Sequence, residues 1–185
     1  IVNFDKEKGG YIGAPKFPIF NIYDTLLYFF TKTKKLSYIE PVELILKQLC
    51  SQGIYDHVEG GLSRYTIDEN WLIPHFEKML YDNAQFVLLI SKFLKIGGNE
   101  YFEKKIFQTI EFINNNFLNT KYNLLGSAYD ADSEGEEGKY YVFNYNELKD
   151  IKDIERYFEV KPGGNWENKI ILKEINVPPQ SILTK

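Results

Sequence analysis

Apolar residues recur at three- and four-residue intervals in four stretches of the chain and give way to a β-branched, aromatic run in a fifth. Ile22, Leu26, Phe29 and Phe30 predict a helix over 21–32, and Val42, Ile45, Leu46 and Leu49 predict a second over 41–49, with Pro41 at its first position. A third is expected from Pro74 to about Ile96, stopped by Gly97 and Gly98. On it His75, Lys78 or Met79, and Asp82 would share one face. Asn99 is the expected cap of a fourth helix running to Phe117, with Phe102, Ile106, Ile110, Ile113 and Phe117 buried. The fifth stretch, 139–145, predicts a small β-hairpin with 124–129. Short helices are expected after Asn146 and over 153–159.

GGY at Gly9, GGL at Gly60 and LLGSAY at Leu124 each open an aromatic-rich polar loop, at intervals that would hold two helices. The pattern predicts an array of helical hairpins whose loops gather at one end, where function usually sits. The 185 residues suffice for one domain over 1–185, with 173–185 as a loose tail.

A net charge of −4 with interspersed signs argues against a nucleic-acid partner, and the basic run 32–35 reads as a helix end. Lone Cys50, in an apolar helical pattern, reads as a small core residue. No apolar run is long enough for a membrane span and the first residues lack a signal-peptide layout, so a soluble protein of a reducing, cytoplasmic compartment is expected.

Candidate chemistry concentrates between Tyr55 and Gln85, which holds both histidines, the only methionine and one of two tryptophans. His75, Glu77 and Asp82 are the acid–base candidates there, with His57, Arg64, Trp71 and Tyr81 as binding groups. Arg64 and Glu77 can equally form an ion pair. Loop aromatics Tyr65, Trp71, Tyr81 and Tyr129 can stack on sugar rings. Lys16, between two prolines, reads either as a cation facing a ligand or as a solvated lysine. Asp130, Asp132, Glu134 and Gly135 mimic the start of a calcium loop, but Tyr141 stands where the bidentate glutamate belongs. No metal and no cofactor are expected.

The segment GGLSRYTIDENWLIPHFEKMLYDNAQ resembles the signature of the YyaL/spermatogenesis-associated protein 20 family, and GGYIGAPKFP, SAYDADSEGEEGKYYVF and KPGGNWENKIIL agree with it in order. The resemblance implies a mainly α fold, part of a six-hairpin (α/α)6 toroid similar to N-acylglucosamine 2-epimerases and glycosidases. It also implies a fragment: members carry a thioredoxin-like domain before this region and further hairpins after it. Asp130 and Asp132 would then line the toroid's open end. Three roles remain open. A hydrolase would use carboxyls from Glu77, Asp82, Asp68 and Asp132; an epimerase would use His57 or His75 to move a proton α to a carbonyl; a binding module would use the same loops for sugar or protein. A sugar ligand and self-association of the incomplete toroid are the expected partnerships.

Overall fold

The computed structural model describes residues 3–97, 99–179 and 182. Its frame is four helices: α1 (Phe20–Thr33), α2 (Leu36–Ser51), α3 (Leu80–Gly97) and α4 (Glu100–Phe112). The first two pack as one hairpin, the last two as another, and α1 lies against α3. Tyr23 and Leu27 of α1, Ile45 and Leu49 of α2, and Phe86 and Ile90 of α3 meet in the principal core. Cys50 lies in it, fully buried, where desolvation pushes its thiol up.

Local chemistry sets most of the ends. Helix α1 stops at Lys34, whose left-handed backbone returns its N–H to the Phe30 carbonyl. Asn99 caps α4, its side chain accepting from the Phe102 N–H. That helix ends differently from expectation: Ile113–Phe117 forms one wider, π-helical turn, and Ile110 is exposed while Lys105, Thr109 and Phe112 are buried. Pro41 does not start α2. It sits inside the helix, which begins at Leu36. The lost hydrogen bond is offset by burial of Val42, Ile45, Leu46 and Leu49.

The largest correction concerns Pro74. Helix α3 begins six residues later, at Leu80, after an extended segment that ends in β1 (Lys78–Met79). Pro74, Phe76 and Lys78 are buried while His75 and Glu77 face out; the alternation runs through a tight turn at Phe76, φ 51°, closed by the Glu77 N–H on the His75 carbonyl at 2.6 Å. Backbone pairing holds it there: the His75 N–H donates to the Tyr65 carbonyl at 3.0 Å, and the Arg64 N–H to the Glu77 carbonyl at 2.8 Å. His75 and Asp82 therefore do not share a helix face.

The expected 139–145 hairpin is absent, although small antiparallel pairs occur nearby. Strand β2 (Leu118–Asn119) pairs with β3 (Leu124–Leu125), β1 with β4 (Ala128–Tyr129), and β5 (Asp132–Ser133) with β6 (Glu136–Glu137). Glu134 and Gly135, both at positive φ, form the tight turn between β5 and β6, which is what the calcium-like DxDxEG sequence builds. Helices α5 (Tyr145–Leu148) and α6 (Ile154–Tyr157) follow, with Asn144, not Asn146, making the capping box. A second core gathers Leu148, Phe158, Val160, Ile170 and Leu172. In the segment expected to be loose Glu174 is buried, and residues 180, 181 and 183–185, like the helix stop at Gly98, lie outside those described.

One device recurs. Asp5 accepts the Glu7 and Lys8 N–H groups and the 2.7 Å bond of Lys16, whose ammonium also donates to the Gly9 carbonyl at 2.9 Å. Asp56 accepts the Val58 and Glu59 N–H groups and the 2.7 Å bond of Lys78, which donates to the Gly60 carbonyl at 2.9 Å. Each is an Asp-x-x-x-Gly-Gly loop clamped by a buried lysine that precedes a hairpin. At Gly61, φ +83°, a Cβ would lie 2.5 Å from the Phe112 ring, so the loop must be glycine to seat on α4. Lys16 is thus neither ligand-facing nor solvated. In the first unit Lys16 follows Gly10 by six positions; in the second Lys78 follows Gly61 by seventeen, and the added length carries the candidate site.

Candidate functional site

The added length folds back on itself, 64–66 against 74–77, and presents its outward side chains together. Arg64 Nη1 lies 3.2 Å from Glu77 Oε2, both part-exposed, and also hydrogen-bonds the Tyr81 side chain. Tyr81 itself is exposed. His75 stacks on Tyr65 at 5.0 Å between ring centroids, and Tyr65 stacks on Phe17 at 4.5 Å. On its other edge His75 Nδ1 is 3.0 Å from Glu137 Oε1.

Asp82 completes the group from the first turn of α3. The residue is 7% exposed, and among the described residues Oδ2 is the one buried side-chain oxygen or nitrogen without a hydrogen-bond partner. Burial pushes its pKa up to about 6, with Arg64 pulling down and Glu77 pushing up through space. An orphaned buried oxygen carries a desolvation cost that a protein normally removes. Here it is retained beside an arginine and a second carboxylate, an arrangement suited to exchanging a proton with a bound polar molecule.

Of the other candidates, Asp132 lies across the hairpin from Glu137 and the rest lie elsewhere. Trp71 is fully buried, its Nε1 donating to the Lys8 carbonyl, so it lines no sugar site. His57 is also buried, between Glu174 Oε1 at 3.1 Å and the Gln52 carbonyl at 3.1 Å, with Lys105 Nζ 3.3 Å from Nδ1. Burial and Lys105 hold its pKa below the ordinary value. Tyr129 is part-exposed, donating to the Asn116 carbonyl, and packs on Phe112 and Phe117. Asp68 caps its own turn through the Asn70, Leu72 and Ile73 N–H groups. Asp130 accepts the Asp132 N–H, and Asp132 sits opposite Glu137 in the β5–β6 pair.

Sequence reasoning passed over Glu137, Lys78, Asp56, Lys105 and Glu174, because lysine and glutamate read as solvated residues until a fold buries or pairs them. A small cavity of about 70 Å³ lies under the extended segment, walled by Asp56, Ser63, Phe76 and Tyr141. A groove of about 760 Å³ runs along α4 past Lys105 and Glu174. Neither is lined by His75, Glu77 or Asp82. No cluster of three or more His, Cys, Asp or Glu able to hold a metal occurs among the described residues, and none of their helices is long and apolar enough to cross a membrane.

Spermatogenesis-associated protein 20 from Mus musculus is 35% identical over 158 residues, and that from Homo sapiens 34%, each match covering 80% of this chain. The chain is homologous to a segment of spermatogenesis-associated protein 20. It spans about a fifth of the length of these curated relatives. No family model matches it. Among solved structures, cellobiose 2-epimerase from Bacillus thermoamylovorans superposes with a TM-score of 0.62 at 19% identity, covering 72% of this chain and 38% of the enzyme. A family 76 glycoside hydrolase from a bovine Bacteroides thetaiotaomicron strain gives 0.53 at 14%, covering 63% and 24%. The likeness establishes the fold, a mainly α segment of an α/α toroid with small β-hairpins.

Proposed function

We propose that the outward face around Asp82 is a sugar-processing site of epimerase or glycosidase type, with Asp82 as its acid–base group. The observation that carries this is the buried, unpartnered Asp82 oxygen beside Arg64 and Glu77; the toroid fold, which sugar enzymes use, supplies the substrate class. A carboxyl with a pKa of about 6 can give a proton and take one back near neutral pH. Arg64 and Tyr81 would donate to sugar oxygens. Glu77, tied to Arg64, would be the second carboxyl.

The test pairs Asp82→Asn with two assays on reducing sugars and glycosides: solvent-deuterium incorporation for an epimerase, reducing-end release for a hydrolase. Either signal should fall about a hundredfold in the variant. A role for the protonated carboxyl should fade as pH rises past about 6, and a role as base should appear over the same range. Sugar binding with neither signal would reassign the face to recognition.

Asp82 should also be visible in stability. Its folded pKa lies above the ordinary value of 3.8, so the penalty for its charge builds as pH rises from about 4 to 6 and is complete above that. Asp82→Asn should therefore stabilise the chain by roughly 1–2 kcal/mol at pH 7.5 and by little at pH 4, by urea titration. A carboxyl resonance titrating below about 4.5 would remove the basis of the proposal.

A further inference from the structure

Two contacts key the β5–β6 hairpin, which carries Glu137, to the segment that bears His75. The first is the 3.0 Å approach of Glu137 Oε1 to His75 Nδ1. The second lies one residue on: Gly138, at φ +73°, leaves the space that the Phe76 ring fills, and a Cβ there would stand 2.5 Å from that ring. Phe76 is in turn stacked on Tyr141 at 5.9 Å and against Trp166 at 5.3 Å. Consecutive residues 137–138 therefore grip consecutive residues 75–76. The ring of His75 is further flattened against Tyr65, whose carbonyl takes the His75 N–H.

We infer that Glu137 is a positioning residue for His75, fixing the imidazole tautomer that leaves the Nε2 lone pair free on the part-exposed ring. Across 3.0 Å a carboxylate oxygen repels a ring lone pair and attracts an N–H, so Glu137 favours the tautomer with the hydrogen on Nδ1; in the neutral ring Nε2 then holds the lone pair. The ring is part-exposed and no partner for Nε2 is present among the described residues. When Nε2 takes a proton, the substrate's C–H or O–H bond breaks, its electron pair stays on the substrate, and Glu137 faces the imidazolium produced. This rests on the reading of the outward face as a proton-transfer site, to which it adds the His75 imidazole.

The tautomer can be read without substrate. Long-range 1H–15N correlation of the imidazole rings at neutral pH will show the chain's two histidines, and His75→Asn assigns the pair by removing one set. His75 should show the Nδ1–H pattern. Glu137→Ala should convert it to Nε2–H or to a fast-exchanging mixture, and Glu137→Gln, whose amide oxygen still accepts, should retain Nδ1–H. A glutamate that merely braced the hairpin would lower the melting temperature and leave the tautomer alone. An Nε2–H pattern in the unsubstituted chain, or no change in Glu137→Ala, overturns the inference. Absence of turnover with the expected spectra would instead fault the proposed function and leave the positioning role standing.

Discussion

Lys78→Met should cost about 3–5 kcal/mol of folding stability, much of what a domain of this size has. The lysine is fully buried, and its ammonium holds Asp56 at 2.7 Å and the Gly60 carbonyl at 2.9 Å, over the faces of Phe112 at 4.2 Å and Tyr141 at 4.8 Å. Burial alone would raise the Asp56 carboxyl; Lys78 and the loop N–H groups outweigh it and hold it below the ordinary value. Methionine fills the space but leaves a buried carboxylate and an unpaired carbonyl. Asp56→Asn keeps the loop contacts without the charge, so the double variant Lys78→Met/Asp56→Asn should recover part of the loss in a double-mutant cycle. Urea unfolding measures it. A loss under about 1 kcal/mol would mean that the clamp is replaceable packing.

Acidification should destabilise the chain in two stages, both traceable to one buried cluster. Glu174 accepts from Lys105 at 2.7 Å and Tyr101 at 2.6 Å and lies 3.1 Å from His57, with Tyr55 hydrogen-bonded to the Lys105 carbonyl and Cys50 close by. His57 is held below its ordinary pKa by burial first and Lys105 second. The unfolded chain therefore gains that proton more readily, and stability declines as pH falls through about 6.5. Burial pushes Glu174 up, but its contacts with His57 and Lys105 outweigh this and hold it at about 2, against an ordinary value of 4.5. Its contribution is complete above about pH 4.5 and is lost as pH falls toward 2, roughly 3 kcal/mol in all. Glu174→Gln should be less stable at neutral pH and should lose the lower-pH slope. Urea midpoints from pH 8 to 3 would show both stages, and a profile flat over that range would contradict the assignment.

How much of this was legible follows from which interactions are local. The stripe of α2 was readable because apolar residues at helical spacing find a core whatever its other wall is, and the Asn99 cap needs only its own turn; α1 was placed but its face was not, since Tyr23 and Leu27 are buried while Phe29 is exposed, and α4 leaves Ile110 out. The crowding of polar groups between Tyr55 and Gln85 was also readable, since it is a fact of composition. The Pro74 segment was misread as helix for a physical reason. Phe76 and Lys78 turn inward only because Tyr141, Trp166 and Asp56 wait for them, and Tyr65 and Arg64 offer backbone partners that outbid an intrahelical ladder.

The sequence by itself determined a helical-hairpin protein, the Gly-Gly loops and the region where chemistry gathers. Tertiary structure decided the rest: that Lys16, Lys78 and Lys105 are buried partners of Asp5, Asp56 and Glu174, that Trp71 and His57 are walled off, and that Asp82 is left unpaired beside Arg64. Whether an ionisable side chain is solvated, paired or stranded depends on residues as far as 117 positions away, as for His57 and Glu174. Its desolvation and its partner both arrive only when the chain closes, so no local pattern encodes them.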